Sequence, residues 1–159
     1  MIELRKIDRG NIWAIVKLSV QEDQRNFVAT NTESLLEAYL APAEGCLALP
    51  FGIYHDEDPV GFVMFGYGTT GDSEEPTVAK GNYCLWRFMI DGAHQRHGYG
   101  KEALAAALAY LRTGPCGAAE HCWLSYEPDN FVARHLYHTA GFRENGELCG
   151  NEIVSVLRL

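Results

Sequence analysis

The chain has 159 residues, 47% hydrophobic and 21% charged, with a formal net charge of -8. That length predicts one domain, residues 1–159, large enough to bury a core of its own. The acidic balance argues against a nucleic-acid partner, whose phosphates it would repel, and is compatible with a small cationic one. No apolar run is long enough to span a bilayer, and Met1–Asp8 lacks the apolar stretch of a secretory signal. Cysteines at 46, 84, 116, 122 and 149 are odd in number and form no Cys-x-x-Cys pair. Unpaired thiols of this kind fit a reducing cytoplasm.

Ile2 to Ile7 alternates apolar and polar residues and predicts an opening strand. Asp8 and Asn11 can cap a helix through Ile12, Ile15, Val16 and Leu18. Asn31 or Thr32 can cap a second, with Leu35, Leu36, Tyr39 and Leu40 on its apolar face and Ala41-Pro42 as its stop. Leu47–His55 and Val60–Tyr67 predict a hairpin around Asp56-Glu57-Asp58. Gly68 to Gly81 is a polar loop carrying Asp72, Glu74 and Glu75. Asn82 to Ile90 is apolar at nearly every position, as a central strand would be. Lys101 to Arg112 predicts a helix with Ala103, Leu104, Ala107, Leu108 and Leu111 buried and Gly114-Pro115 as its stop. His121–Ser125 reads as a buried strand and Asn130–Ala140 as a helix ended by Gly141. Phe142–Leu148 and Ile153–Leu159 make a last hairpin across Gly150-Asn151, which can also pair across a homodimer. The order is β-α-α-β-β-β-α-β-α-β-β.

Two segments carry chemistry. Gln95-Arg96-His97-Gly98-Tyr99-Gly100-Lys101 lies between the central strand and an Ala-rich helix. A tight turn feeding a helix aims orphan N–H groups and the positive end of the helix dipole at one point, which binds anions. Gly98 and Gly100 leave the backbone bare for a diphosphate, and Arg96, His97 and Lys101 add charge at the rim. A P-loop would need Gly-Lys-Ser/Thr, and a dinucleotide fingerprint would need a third glycine where Ala103 stands. The second segment, Asn130-Phe131-Val132-Ala133-Arg134-His135-Leu136-Tyr137-His138-Thr139-Ala140-Gly141-Phe142, presents a tyrosine from a helix. His135 and His138 lack a third ligand at sensible spacing and are expected to face solvent, so no metal is expected.

Gln95-x-x-Gly98-x-Gly100 and Asn130-x-x-Ala133-x-x-Leu136-Tyr137-x-x-x-Gly141-Phe142 resemble the two signatures of the GNAT superfamily of acetyl-CoA-dependent N-acetyltransferases. The resemblance implies an α/β (α+β) fold with a mixed central sheet, flanking helices and a splayed central strand pair. It implies acetyl-CoA held by the 95–101 turn and by the backbone of Phe88, Met89 and Ile90, with one N–H polarising the acetyl carbonyl. Tyr137 would protonate the departing thiolate. Asn130 would bond the pantetheine arm or cap its helix. Strand alternation puts Trp86 with Phe88 and Ile90, opposite Leu85, Arg87 and Met89. Animal polyamine acetyltransferases carry an acid where this chain has Trp86. The general base therefore stays open among Glu127, Glu33, Glu37 and a water chain.

Over its whole length the chain resembles bacterial spermine/spermidine (diamine) N-acetyltransferases. The likeness runs through Val60–Gly66, Leu85–Asp91, Gln95–Gly100 and Asn145-Gly146-Glu147. A polyamine wants carboxylates at intervals between apolar walls. Glu33 and Glu37, four apart on one helix face, and Asp72, Glu74 and Glu75 in the loop are candidates, with Trp86, Phe27 and Tyr67 as walls. The alternatives are another amine (a protein N-terminus, an amino acid, an aminoglycoside) or a catalytically silent acyl-CoA-binding module.

Overall fold

The computed structural model describes residues 1–159. In chain order the elements are β1 (Ile2–Lys6), α1 (Ile12–Ile15), α2 (Asn31–Leu40), β2 (Leu47–His55), β3 (Asp58–Tyr67) and β4 (Tyr83–Ile90). They continue with α3 (Tyr99–Leu111), β5 (His121–Tyr126), α4 (Phe131–Ala140), β6 (Arg143–Cys149) and β7 (Glu152–Arg158). Seven strands form one sheet in the order β1-β2-β3-β4-β5-β7-β6, with β4 in the middle. Every neighbouring pair is antiparallel except β4 and β5.

The sheet is covered on both faces, so β4 needs apolar residues on both sides. On one face α3 buries Ala103, Leu104, Ala107, Leu108 and Leu111, the predicted stripe, in a cluster with Phe51, Phe65 and Leu124. On the other, Ile15, Tyr54, Phe62, Met64 and Met89 form a second cluster, against which Leu35 and Ala38 of α2 and Trp86 pack.

The parallel pair β4–β5 is short. It joins only Tyr83 to Cys122 and Cys84 to Trp123, and beyond Cys84 the two strands diverge. The sheet therefore splays at its centre, as the resemblance implies. On its other side β4 stays laddered to β3 up to Gly61 opposite Ile90, where a Cβ on Gly61 would clash with the Met89 carbonyl. Only glycine lets β3 run that close to the diverging strand.

Three local expectations need correction. The first helix stops at Ile15 rather than running to Leu18. The buried Asn31 amide takes the Ile15 carbonyl at 2.9 Å and the Leu18 carbonyl at 3.4 Å, and Ser19 turns away to bond Asp91 and Gly92. The cap of α2 is Thr30, not Asn31 or Thr32: Thr30 and Glu33 form a reciprocal capping box. That shifts the inward face of α2 to Asn31, Ser34, Leu35 and Ala38 and leaves Leu36, Tyr39 and Leu40 exposed. The third correction concerns β4. Met64 pairs with Arg87 and Phe65 with Leu85, so Trp86 is the extra residue of a β-bulge. The bulge breaks the alternation. Trp86 packs with Met89 on the α2 face, while Phe88 and Ile90 join the α3 face.

Candidate active site

A cleft follows the splay. Its floor is the freed stretch of β4, and its walls come from the 95–101 turn, α4, the loop before α2, the β3–β4 loop and the starts of β6's hairpin partner β7 and of the β5–α4 connection.

The turn is built from local chain chemistry. Asp91 accepts Ser19 N–H and Ala93 N–H and bonds His94 Nδ1 at 2.9 Å, fixing the 3-10 turn Gly92–His94. Gln95 ties the turn to its surroundings, donating to Gln24 Oε1 at 2.7 Å and to the Ile90 carbonyl at 3.0 Å. Arg96 (φ 67) and Gly98 (φ 82) are left-handed, and the chain then enters α3 at Tyr99. No backbone N–H from Gln95 to Lys101 finds an acceptor within the protein. No protein atom lies within 4 Å of where a Gly98 Cβ would stand. Free amides around open space at a helix start fit a diphosphate.

The side chains of this segment divide. Arg96, Tyr99 and Lys101 line the cleft. His97 does not: its Nδ1 donates to the His94 carbonyl at 3.1 Å, and its ring stacks on Tyr99, which also stacks on His55. His97 can offer its main-chain N–H, whereas its imidazole points elsewhere.

Along β4, the edge facing the splay has no β5 partner at Phe88, Met89 and Ile90. Tyr137 stands above it, packed against Phe88, Tyr126 and Phe142 with ring centroids 6.5, 6.1 and 5.9 Å away. The side chain is 9% exposed and lines the cleft. Burial pushes its phenol well above the usual tyrosine range, so it stays protonated at neutral pH. The helix that carries it is closed at both ends: Asn130 Oδ1 accepts Ala133 N–H at 3.3 Å, and Gly141 is left-handed at the C-terminus. Asn130 thus acts as the cap. His135 and His138 are exposed.

The carboxylates are arranged differently from the expectation. Glu33 spends its charge on Thr30, whose N–H and hydroxyl hold it below the usual carboxylate range. Glu37 pairs with Arg87 at 2.9 Å. Neither lines the cleft. Helical spacing puts both on one face but says nothing of Arg87, which the bulge turns toward α2. Glu75 does line it, yet its Oε1 accepts the Thr70 N–H and hydroxyl within the same loop. Glu74 reaches the Gly150 turn, and Glu147 of β6 accepts Thr77 N–H at 2.7 Å, so the β3–β4 loop is latched to the β6–β7 hairpin. Trp86, Phe27 and Tyr67 line the cleft as walls. Four acids that the spacing did not single out as amine ligands line it too: the exposed Asp23 and Asp129 and the half-buried Glu127 and Glu152. Ser125 Oγ donates to Glu152 at 3.2 Å.

A sheet splayed at its centre, beside a turn of free amides, is the architecture of an acyl-CoA-dependent transferase. Residues 12–142 match the Acetyltransferase (GNAT) family, and the chain belongs to that family as an acetyltransferase. It is 31% identical over 147 residues to a spermine/spermidine N(1)-acetyltransferase of Bacillus subtilis (strain 168), spanning 92% of this chain and 91% of that one. A probable spermine N(1)-acetyltransferase of Bacillus subtilis subsp. natto is similar to the same degree, 31% over 147 residues. Among solved structures, aminoglycoside acetyltransferase AAC(6')-Ib in complex with coenzyme A shares the fold, with a TM-score of 0.76 at 18% identity over 99% of this chain and 95% of that one. PaiA N-acetyltransferase from Thermoplasma acidophilum with coenzyme A superposes with a TM-score of 0.67 at 16% identity, over 100% and 99% of the two chains.

Proposed function

We propose that the protein transfers the acetyl group of acetyl-CoA to a primary amine of a polyamine, spermine or spermidine. The observation that carries this is the unlike chemistry that lines one cleft: unpaired main-chain N–H groups from Gln95 to Lys101, and carboxylates at Glu74, Glu127 and Glu152 with the aromatic rings of Trp86 and Phe27. The relatives named for spermine and spermidine support the same reading.

When bound, acetyl-CoA supplies the acetyl group as a thioester. The Gln95–Lys101 amides, with Arg96 and Lys101 at the rim, hold the diphosphate. The freed edge of β4 at Phe88, Met89 and Ile90 pairs with the pantetheine as an added strand would, and one N–H there faces the acetyl carbonyl. Tyr137, protonated at neutral pH, donates to the sulfur as it departs. Glu74, Glu127 and Glu152 hold ammonium groups, and Trp86 and Phe27 flank the methylenes between them. Glu33 and Glu37 serve α2 instead, one as a cap and one as the partner of Arg87. The free cysteines support a cytoplasmic site of action.

The test is a screen of CoA-thiol release from acetyl-CoA over spermine, spermidine, lysine, a peptide N-terminus and an aminoglycoside. Spermine and spermidine should give the highest kcat/KM. Acetylation of one of the others with none of either polyamine would refute the substrate assignment.

A further inference from the structure

Glu152 opens β7 just after the Gly150-Asn151 turn. Ser125 of β5 lies opposite Val154, and strand residues two apart share a face, so Glu152, Val154 and Ser125 look the same way. That face is covered by the β3–β4 loop, where Val154 and Trp123 pack on Ala79. Tyr137 belongs to the cluster on the opposite face. Glu152 and Tyr137 thus flank the splay from its two sides, and both line the cleft.

Most of the other acids are spoken for or exposed; Glu127 is half-buried and lines the same cleft, but no side chain holds its carboxylate in place as Ser125 holds that of Glu152. Glu33 caps α2, Glu37 is paired with Arg87, and Glu75 is bonded to Thr70. Glu74 and Asp72 are exposed. Glu152 is half-buried, is held in place by the Ser125 hydroxyl and forms no salt bridge of its own.

We infer that Glu152 is the catalytic residue that takes the proton from the acceptor amine. It rests on the proposed transfer to an amine, but not on that amine being a polyamine. An amine enters as R–NH3+ and can attack only as R–NH2. One N–H bond breaks, the proton forms an O–H bond on the Glu152 carboxylate, and the nitrogen keeps the electron pair. Both charges vanish together, and the carboxyl later returns its proton to solvent through the open cleft.

The neighbours tune this group in opposite directions. Burial raises Glu152 above the usual carboxylate range, the Ser125 hydroxyl lowers it, the like charge of Glu127 raises it and Arg87 of β4 lowers it. Cys149 of β6 pairs directly with it in the ladder, with Glu74 and Glu75 acting on the same thiol from the β3–β4 loop, and Tyr137 of α4 lines the cleft from the opposite face of the sheet. A carboxylate raised toward neutrality is better matched to accepting an amine proton.

The test uses the full chain, with initial rates of CoA-thiol release measured from about pH 5 to about pH 9 on spermine and, in parallel, on butylamine. Glu152→Gln should lower kcat by about 10² to 10⁴ and abolish the acid limb of the profile, with CoA affinity by calorimetry unchanged. Glu152→Asp should keep the limb and part of the rate. Removing the like charge with Glu127→Gln should move the limb to lower pH. Removing the hydroxyl with Ser125→Ala should move it to higher pH. A merely structural role would not move the limb in opposite directions. Wild-type kcat with an intact acid limb in Glu152→Gln would overturn the inference, as would a limb that neither neighbour moves. Should spermine fail and butylamine react, the polyamine reading falls and Glu152 stands or falls on the butylamine profiles. A wild-type chain that acetylates neither amine overturns both.

Discussion

The turn at Gln95–Lys101 presents main-chain amides from one unbroken stretch of chain. The proposed amine site instead takes Trp86 from β4, Glu127 from the segment after β5 and Glu152 from β7, all of which line the cleft. A backbone site needs only a few torsion angles, and Gly98 at φ 82 leading into α3 sets them locally. A side-chain site needs several strands in register. The first kind is robust to its surroundings. The second depends on the β4 bulge, the latch from Glu147 to Thr77 and the Arg87–Glu37 pair.

Tyr137 lines the cleft and packs on Phe88 of the freed β4 stretch, so it offers the largest effect. Tyr137→Phe removes a hydroxyl and keeps the ring against Phe88, Tyr126 and Phe142. The catalytic constant should fall by about 10² to 10⁴ while the KM for acetyl-CoA and the melting temperature hold. Steady-state kinetics and a thermal melt check this, and a Phe variant with full kcat would leave Tyr137 a packing residue.

Gly98→Asp attacks the backbone end alone. It puts a side chain into space that the protein leaves open and an anion beside the free amides. Calorimetry should show CoA affinity down at least about tenfold, near 1.4 kcal/mol, in a folded protein. Unchanged affinity would break the assignment of that turn.

A smaller effect sharpens the comparison from the other side. Thr30→Ala removes the cap of α2 and should lower stability by about 1 kcal/mol without changing the KM for spermine, because this carboxylate-bearing helix serves structure. Glu33 titrates below the usual carboxylate range when folded, so its contribution is present above the ordinary carboxylate pKa and lost as pH falls through the depressed one. The penalty of Glu33→Gln should therefore show in neutral denaturant melts and fade in strong acid. A penalty that grows on acidification would contradict the capping role.

The same contrast explains what could be read from the sequence. The buried stripe of α3, the Asn130 and Gly141 ends of α4 and the free turn before α3 depend on residues a few positions apart, and spacing reveals them. Glu37 and Arg87 are fifty positions apart, and nothing local in either announces the pair. The bulge at Trp86 reverses the face of one residue inside an apolar strand whose pattern looks regular. Thr30 was hidden by two neighbouring residues, Asn31 and Thr32, that also make good caps, and Asn31 proved to be buried instead. Glu152 follows a hairpin turn, where an acid is ordinary, and gains meaning only through Ser125 and the splay.

The most direct test is a two-substrate rate matrix, varying acetyl-CoA and spermine, for wild type, Gly98→Asp and the double variant Glu74→Gln with Glu127→Gln. If one end holds the diphosphate and the other the ammonium groups, the glycine variant raises only the KM for acetyl-CoA. The double variant raises only the KM for spermine, by about threefold or more for two partly exposed ion pairs, and the rise shrinks as salt screens them over about 10 Å at 0.1 M. A double variant that shifts the acetyl-CoA KM, or leaves that of spermine where it was, would contradict the two-ended cleft.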